Sequence, residues 1–205
     1  MLNEGTQDIF RFMQQENIRL RNEVAQLKQE NAQMRRVLRA LRTLQEVSIG
    51  VNIKTDVFFL MNRILESALA SVNARDGSLL LIDEDTAELV FVVAKGEIGE
   101  ELLGYRLRVG EGIAGWVAQH REPVLLADVR RDRRFSTAVD EAFSFYTQSM
   151  LAVPVMVGND ILGVIQALNK ENGEPFNEAD LTIFNVVALL AATALTNMDQ
   201  ALAKA

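Results

Sequence analysis

The sequence contains no cysteine and only one histidine, His120. The first absence removes disulfides, thiolate metal sites, thiol nucleophiles and thioether-linked chromophores together. The second leaves a Ser–His–Asp arrangement or a nitrogen-ligated metal a single residue to work with. That residue sits in HREP, a turn-like stretch after a short helix. No catalytic residue, no metal ligand and no enzyme activity is therefore expected. Carboxylate pairs such as Asp83/Asp85 and Asp128/Asp132 read as turn chemistry. The N-terminus, MLNEGTQDIF, lacks the basic start and apolar core of a signal peptide. The longest apolar stretch, Leu181 to Leu195, is broken by Asn185 and Thr193 and falls short of the roughly 20 residues of a membrane span; it reads as a buried helix. A formal net charge of −7 disfavours nucleic acid, which carries the same sign. A cytoplasmic protein with neither membrane nor nucleic-acid partner is the expectation.

Residues 1–47 have no proline and only Gly5 among glycines. They form a heptad pattern, with a and d positions occupied by Asn17, Leu20, Val24, Leu27, Asn31, Met34, Leu38 and Leu41. Phe10 and Met13 extend it upstream. The alternating four- and three-residue spacing is the 3.5-residue period of a left-handed coiled coil. In a parallel dimer each g residue faces the partner's next e residue. Here those pairs are Glu16/Arg21, Glu23/Lys28 and Glu30/Arg35, all opposite in sign. Asn17 and Asn31 on the seam fix register and strand number at a cost in stability. A parallel homodimer is thus expected through 1–47. The seam loses register after Leu41, where one helix is expected to continue into a second domain, 48–205, with Gly50 ending it.

In that domain, Val57, Leu60, Met61, Ile64, Ala68 and Val72 recur at helical spacing after Thr55, an N-cap candidate. SLLLID (78–83) and ELVFVVA (88–94) read as a hairpin, and YRLRV (105–109) as a third strand. GEGIAGWVAQH (110–120) is a glycine-opened short helix. PVLLAD (123–128) is a strand, Arg130–Arg134 a charged loop, and 139–146 holds a short helix. SMLAVPVMV (149–157) and ILGVIQALN (161–169) flank Gly158-Asn159, the pair a tight hairpin turn favours. A long helix starts near Glu178, with Asn177 and Asp180 at capping-box spacing. Connections this short exclude most βαβ crossovers. The fold class is therefore α+β, an antiparallel sheet flanked by helices.

Four stretches in this order resemble the GAF family over about residues 40–200: SLLLIDEDTAELVFVVAKG, GEGIAGWVAQHREPVLLADV, SMLAVPVMVGNDILGVIQALNK and FNEADLTIFNVVALLAATAL. The resemblance implies a twisted antiparallel sheet with a ligand pocket on one face and dimer-forming terminal helices on the other. It also points to a motif found in cyclic-nucleotide-binding members, matched here by Asn169, Lys170, Phe176 and Asp180. The motif's final acidic position is Leu181, so it is incomplete. Lys170 and Asp180 then read as an ion pair latching the last strand to the last helix, with Phe176 in the core. A covalent bilin is excluded by the missing cysteine, and heme by the setting of His120.

The pocket such a fold implies would be roofed by Asp128–Gln148. Leu81, Phe91, Trp116, Arg134, Phe135, Phe143, Tyr146 and Met150 are its candidate lining. Aromatic faces beside Arg130, Arg131, Arg133 and Arg134 suit a planar or anionic metabolite, a cyclic nucleotide included. The alternative is that the phenylalanines plug the core while the arginines pair with Asp128, Asp132, Asp140 and Glu141. Two functions follow. One is a dimeric sensory module, signalling through its interface helices and coiled coil to a separate output protein. The other is a ligand-free scaffold for protein–protein contacts.

Overall fold

A computed structural model describes residues 13–28 and 57–202. The chain divides into two compact units, Met1–Arg39 and Ala40–Ala205. In the first, residues 13–28 form helix α1. Met13, Leu20, Val24 and Leu27 are all exposed on it, and Glu16 pairs with Arg19 at 3.3 Å. The remaining seam positions, Asn31, Met34, Leu38 and Leu41, lie outside the described residues, as do Phe10, Gly50 and Thr55.

The second unit is built on one six-stranded antiparallel sheet in the order β3-β2-β1-β6-β5-β4. Its strands are β1 (Ala74–Asp83), β2 (Glu88–Lys95), β3 (Arg106–Arg108), β4 (Val124–Leu126), β5 (Met150–Val157) and β6 (Asp160–Lys170). Helix α2 (Val57–Val72) precedes β1, and α6 (Glu178–Leu202) follows β6. Between β2 and β3 lies a single turn, α3 (Gly99–Leu102). Helix α4 (Gly112–His120) follows β3; a 3₁₀ turn (Val129–Arg131) and α5 (Ala138–Phe143) follow β4. Within residues 57–202 each expected strand and helix is present. Three additions were not expected: β1 starts at Ala74, and α3 and the 3₁₀ turn are new. A single turn has no periodicity to betray it, and the opening glycine of α3 disguises it as a loop.

The middle of the sheet is the β1–β6 pair, which joins opposite ends of the domain. Ser78 faces Gln166 and Leu80 faces Val164. Close packing there depends on Gly163, where a Cβ would lie 2.0 Å from the Leu80 carbonyl oxygen. A bulge in β2 opposite Leu79/Leu80 turns both Val92 and Val93 to one side, into the same core.

Side chains alternate between the two faces along each strand. One face packs α2 and α6 over Leu79, Leu151, Ile165 and Ala167, with Met61, Leu65, Val72, Phe184 and Ala188 supplied by the helices. Each fully buried leucine, isoleucine, valine, methionine or phenylalanine contributes roughly 1.5–3 kcal/mol. The opposite face, built on Leu80, Phe91, Met150, Val164 and Leu168, is covered by Ile113 and Val117 of α4 and Leu102 of α3.

Asn177 caps α6: its Oδ1 accepts from the backbone N–H of Ala179 at 2.9 Å and of Asp180 at 3.2 Å. Asp180 returns the contact, accepting from the Asn177 N–H at 2.9 Å. This is the expected capping box. Residues Glu178–Gln200 prove long and apolar enough, by length and composition, to cross a bilayer, so Asn185 and Thr193 interrupt the run less than expected. In the fold its inner stripe is buried against the sheet, and Leu189 on the other side stays 62% exposed.

Candidate functional site

The face opposite α2 and α6 contains a cavity of about 60 Å³. Its floor is the sheet: Phe91 of β2, Met150 of β5, and Gln166 and Leu168 of β6. One wall is the N-terminal turn of α4, Gly112 to Ala114, with Glu111 before it. Ile98 and Leu102 close another side. The roof is Phe135, Ser136, Val139, Asp140, Phe145 and Thr147.

Helix α4 can stand at this edge because Gly115 lacks a side chain. A Cβ there would meet the Arg108 carbonyl oxygen at 2.6 Å and the Gly110 nitrogen at 2.9 Å. The Gly110 N–H instead donates to the Gly115 carbonyl at 2.9 Å.

The roof is held by a charged clamp. Asp140, 6% exposed, accepts from the Arg130 guanidinium. It also accepts from the Thr147 hydroxyl at 2.6 Å and the Thr147 N–H at 3.0 Å. Arg130 further donates to the Thr147 carbonyl at 3.3 Å, and its guanidinium lies over the rings of Phe135 (5.2 Å) and Tyr146 (4.6 Å). Both carboxylate oxygens of Asp140 are thus engaged, as burial of a charge demands. Asn169 clasps the far end of the roof. It adopts φ +47, a left-handed conformation asparagine tolerates. Its Oδ1 accepts from the Gln148 and Ser149 N–H groups at 2.8 and 3.2 Å, and its amide donates to the Tyr146 carbonyl at 2.8 Å.

The floor is different. Gln166, 6% exposed, donates from Nε2 to the Ser78 hydroxyl at 2.9 Å, but its Oε1 is buried without a hydrogen-bond partner. Among the described residues no lysine or arginine lines the cavity, and the charged ones that do are Glu111 and Asp140.

Of the eight candidate pocket residues, Phe91, Phe135 and Met150 line the cavity. The other five need correction. Leu81 packs against the α2/α6 core, because strand alternation sends Leu80 to the cavity face. Trp116 sits beside the cavity, its ring stacked on His120 at 4.2 Å and under the Arg134 guanidinium at 4.2 Å. Arg134 is held by Asp132, with Nη2 at 2.7 Å and Nε at 2.9 Å from its carboxylate. This hydrogen-bonded pairing holds the Asp132 carboxyl below the usual aspartate range. Phe143 packs edge-on against Tyr105 at 5.4 Å, and Tyr146 is 63% exposed. Arg131 pairs with Asp128 at 3.1 Å. Gln166, Ser78 and Thr147 were missed, while Asp140 is the arginine partner the alternative reading expected. The available signal for Gln166 was a lone amide in the apolar run ILGVIQALN.

None of the family-motif residues lines the cavity, although Asn169 holds its roof. Lys170 Nζ is 2.5 Å from Asp180 Oδ2, with side chains 9% and 1% exposed. Lys170 also lies 5.6 Å from the centre of the Phe176 ring, and Phe176 is core. The pair latches β6 to α6.

These features define an α+β domain with helices on one sheet face and a roofed cavity on the other. The chain belongs to the GAF domain family, whose model matches residues 59–196. It is 32% identical over 144 residues to the dual 3′,5′-cyclic-AMP and -GMP phosphodiesterase 11 of Drosophila melanogaster, covering 63% of this chain and 10% of that protein. It is 33% identical over 84 residues to the cone cGMP-specific 3′,5′-cyclic phosphodiesterase subunit alpha′ of Mus musculus, covering 41% and 10%. The chain spans about a tenth of the length of the curated relatives it matches. Among solved structures, the GAF domain of a phosphoenolpyruvate-protein phosphotransferase from Coxiella burnetii aligns with a TM-score of 0.68 at 19% identity, over 80% of this chain and 96% of that one. Free methionine-R-sulfoxide reductase from Neisseria meningitidis aligns at 0.66 and 18%, over 80% and 89%. These structural likenesses concern the fold.

Proposed function

We propose that this chain is a non-catalytic sensory module that binds a small molecule in the roofed cavity and passes the change to its helices. The observation that carries this reading is the cavity itself: an apolar space over the sheet, closed by a segment held through the Arg130–Asp140–Thr147 clamp. Occupancy would press on a roof tied through Asn169 to the end of β6, and β6 is latched to α6 by Lys170–Asp180. A ligand that favours one packing of these parts shifts the population of α6 arrangements. The exposed apolar side of α1 and Leu189 of α6 support a homodimer, parallel through the heptads of 1–47, that hands its signal to a separate output protein.

Thermal-shift screening of the full chain against cyclic nucleotides and small metabolites tests the ligand. A rise in Tm with one compound, abolished when Phe135→Trp fills the cavity, is expected. No shift with any compound would overturn the sensory reading. One observation favours a second function: about 60 Å³ is well below the ~300 Å³ at which ordinary ligand sites begin. A GAF fold that has closed its pocket would serve as a dimeric adaptor.

A further inference from the structure

The pocket's polar groups are not equally available. Asp140 is saturated by Arg130 and Thr147, and Thr147 spends its hydroxyl on Asp140. Gln166 is the exception. It is 6% exposed, projects from the central strand onto the cavity floor, and is fixed at its Nε2 end by Ser78. Its Oε1 has no partner. A buried amide oxygen left unpaired is costly, and ordinarily one or more donors satisfy it. Around it stand aromatic and aliphatic walls, chiefly Phe91, Phe135, Phe145, Ile98 and Met150. Among the described residues the charged members of the lining are Glu111 and Asp140, the latter already paired with Arg130, with no lysine or arginine among them.

Resting on the sensory reading above, we propose that the cavity selects a small uncharged ring carrying one N–H or O–H donor, an indole- or phenol-like molecule, which donates to Gln166 Oε1. The ring satisfies the walls and its donor satisfies the amide. An anionic phosphate would meet the Glu111 carboxylate and, among the described lining residues, no basic side chain to pair with, so a cyclic nucleotide is rejected here despite the likeness to cyclic-nucleotide phosphodiesterases. The space also sets a size limit. A cavity of about 150 Å³ accepts benzene, whereas this one has about 60 Å³. A six-membered ring therefore enters only as Phe135 or Phe145 of the roof yields, and that couples occupancy to the clamp.

The test is calorimetric titration of the full chain with phenol, indole, toluene and cyclic GMP, repeated on Gln166→Met and Gln166→Leu. Circular dichroism confirms that each variant is folded. Phenol or indole is expected to bind the parent more tightly than toluene, and to lose about five- to tenfold in affinity in both variants while toluene does not. Equal binding of phenol and toluene, or no loss in either variant, overturns the proposal. Binding of cyclic GMP in competition with phenol overturns it as well, while leaving the sensory reading in place. If none of these probes binds but another metabolite raises Tm in the wider screen, the ligand class is wrong and the sensory reading stands. If nothing binds in either experiment, both fall.

Discussion

The sharpest single-residue consequence lies at Lys170 and Asp180. Both side chains are nearly enclosed, and Asp180 Oδ1 already lacks a partner. Lys170→Met strands a buried carboxylate, which costs about 3–5 kcal/mol, whereas replacing both members with apolar residues recovers much of the loss. Urea denaturation of Lys170→Met, Asp180→Leu and the double variant measures this as a cycle. A second residue-scale effect is electrostatic. Arg134 depresses the Asp132 pKa, so the folded state holds fewer protons than the unfolded chain in acid. The stabilisation is complete above the ordinary aspartate range and fades as pH falls through the lowered folded value. Asp132→Asn is expected to flatten that acid limb. Trp116 is the chain's one tryptophan and lies under Arg134, so its emission during acid titration reports the change. At this scale the sequence was only partly legible. The Lys170–Asp180 pair could be read because four residues matched a motif of the family the sequence resembles. Leu81 was misplaced because a fully apolar strand does not announce which side faces which core. Gln166 was passed over because one amide in a strand gives no periodic signal.

Elements were more legible than residues, since hairpins and amphipathic helices declare themselves over several positions. Gly158-Asn159 marked the β5–β6 turn, and the apolar stripes of α2 and α6 marked the helices that cover the sheet. What escaped was short or irregular: the single turn α3, the 3₁₀ turn at Val129–Arg131, and the β2 bulge, all set by packing rather than by local preference. The central β1–β6 pairing belongs to the same class, because nothing local says that strands so far apart in sequence will meet. Its fit is testable through Gly163. A methyl there would collide with the Leu80 carbonyl, a backbone atom in the middle of the sheet. Gly163→Ala is expected to cost ~3 kcal/mol, seen as a lower urea midpoint with an unchanged slope. An unaffected midpoint would show that β1 and β6 can separate locally at no cost.

For the whole molecule, the question is whether two copies pair through the leading helix. The heptad reading expects a parallel dimer, and α1 exposes Leu20, Val24 and Leu27. Asn17→Leu with Asn31→Leu is expected to raise thermal stability of the helix while producing mixed oligomers in light scattering. A parent chain that scatters as a monomer would remove the coiled coil from the account. The strand order also governs how the domain comes into being. Ser78 and Gln166, hydrogen-bonded neighbours in the middle of the sheet, are 88 residues apart along the chain. Contacts of such long range slow folding. During synthesis the β1–β2 hairpin must therefore wait, with the inner edge of β1 bare, until the last strand, β6, has left the ribosome. An unpaired apolar edge is an aggregation hazard. The nascent protein is thus most in need of chaperone protection in the interval between emergence of β2 and emergence of β6.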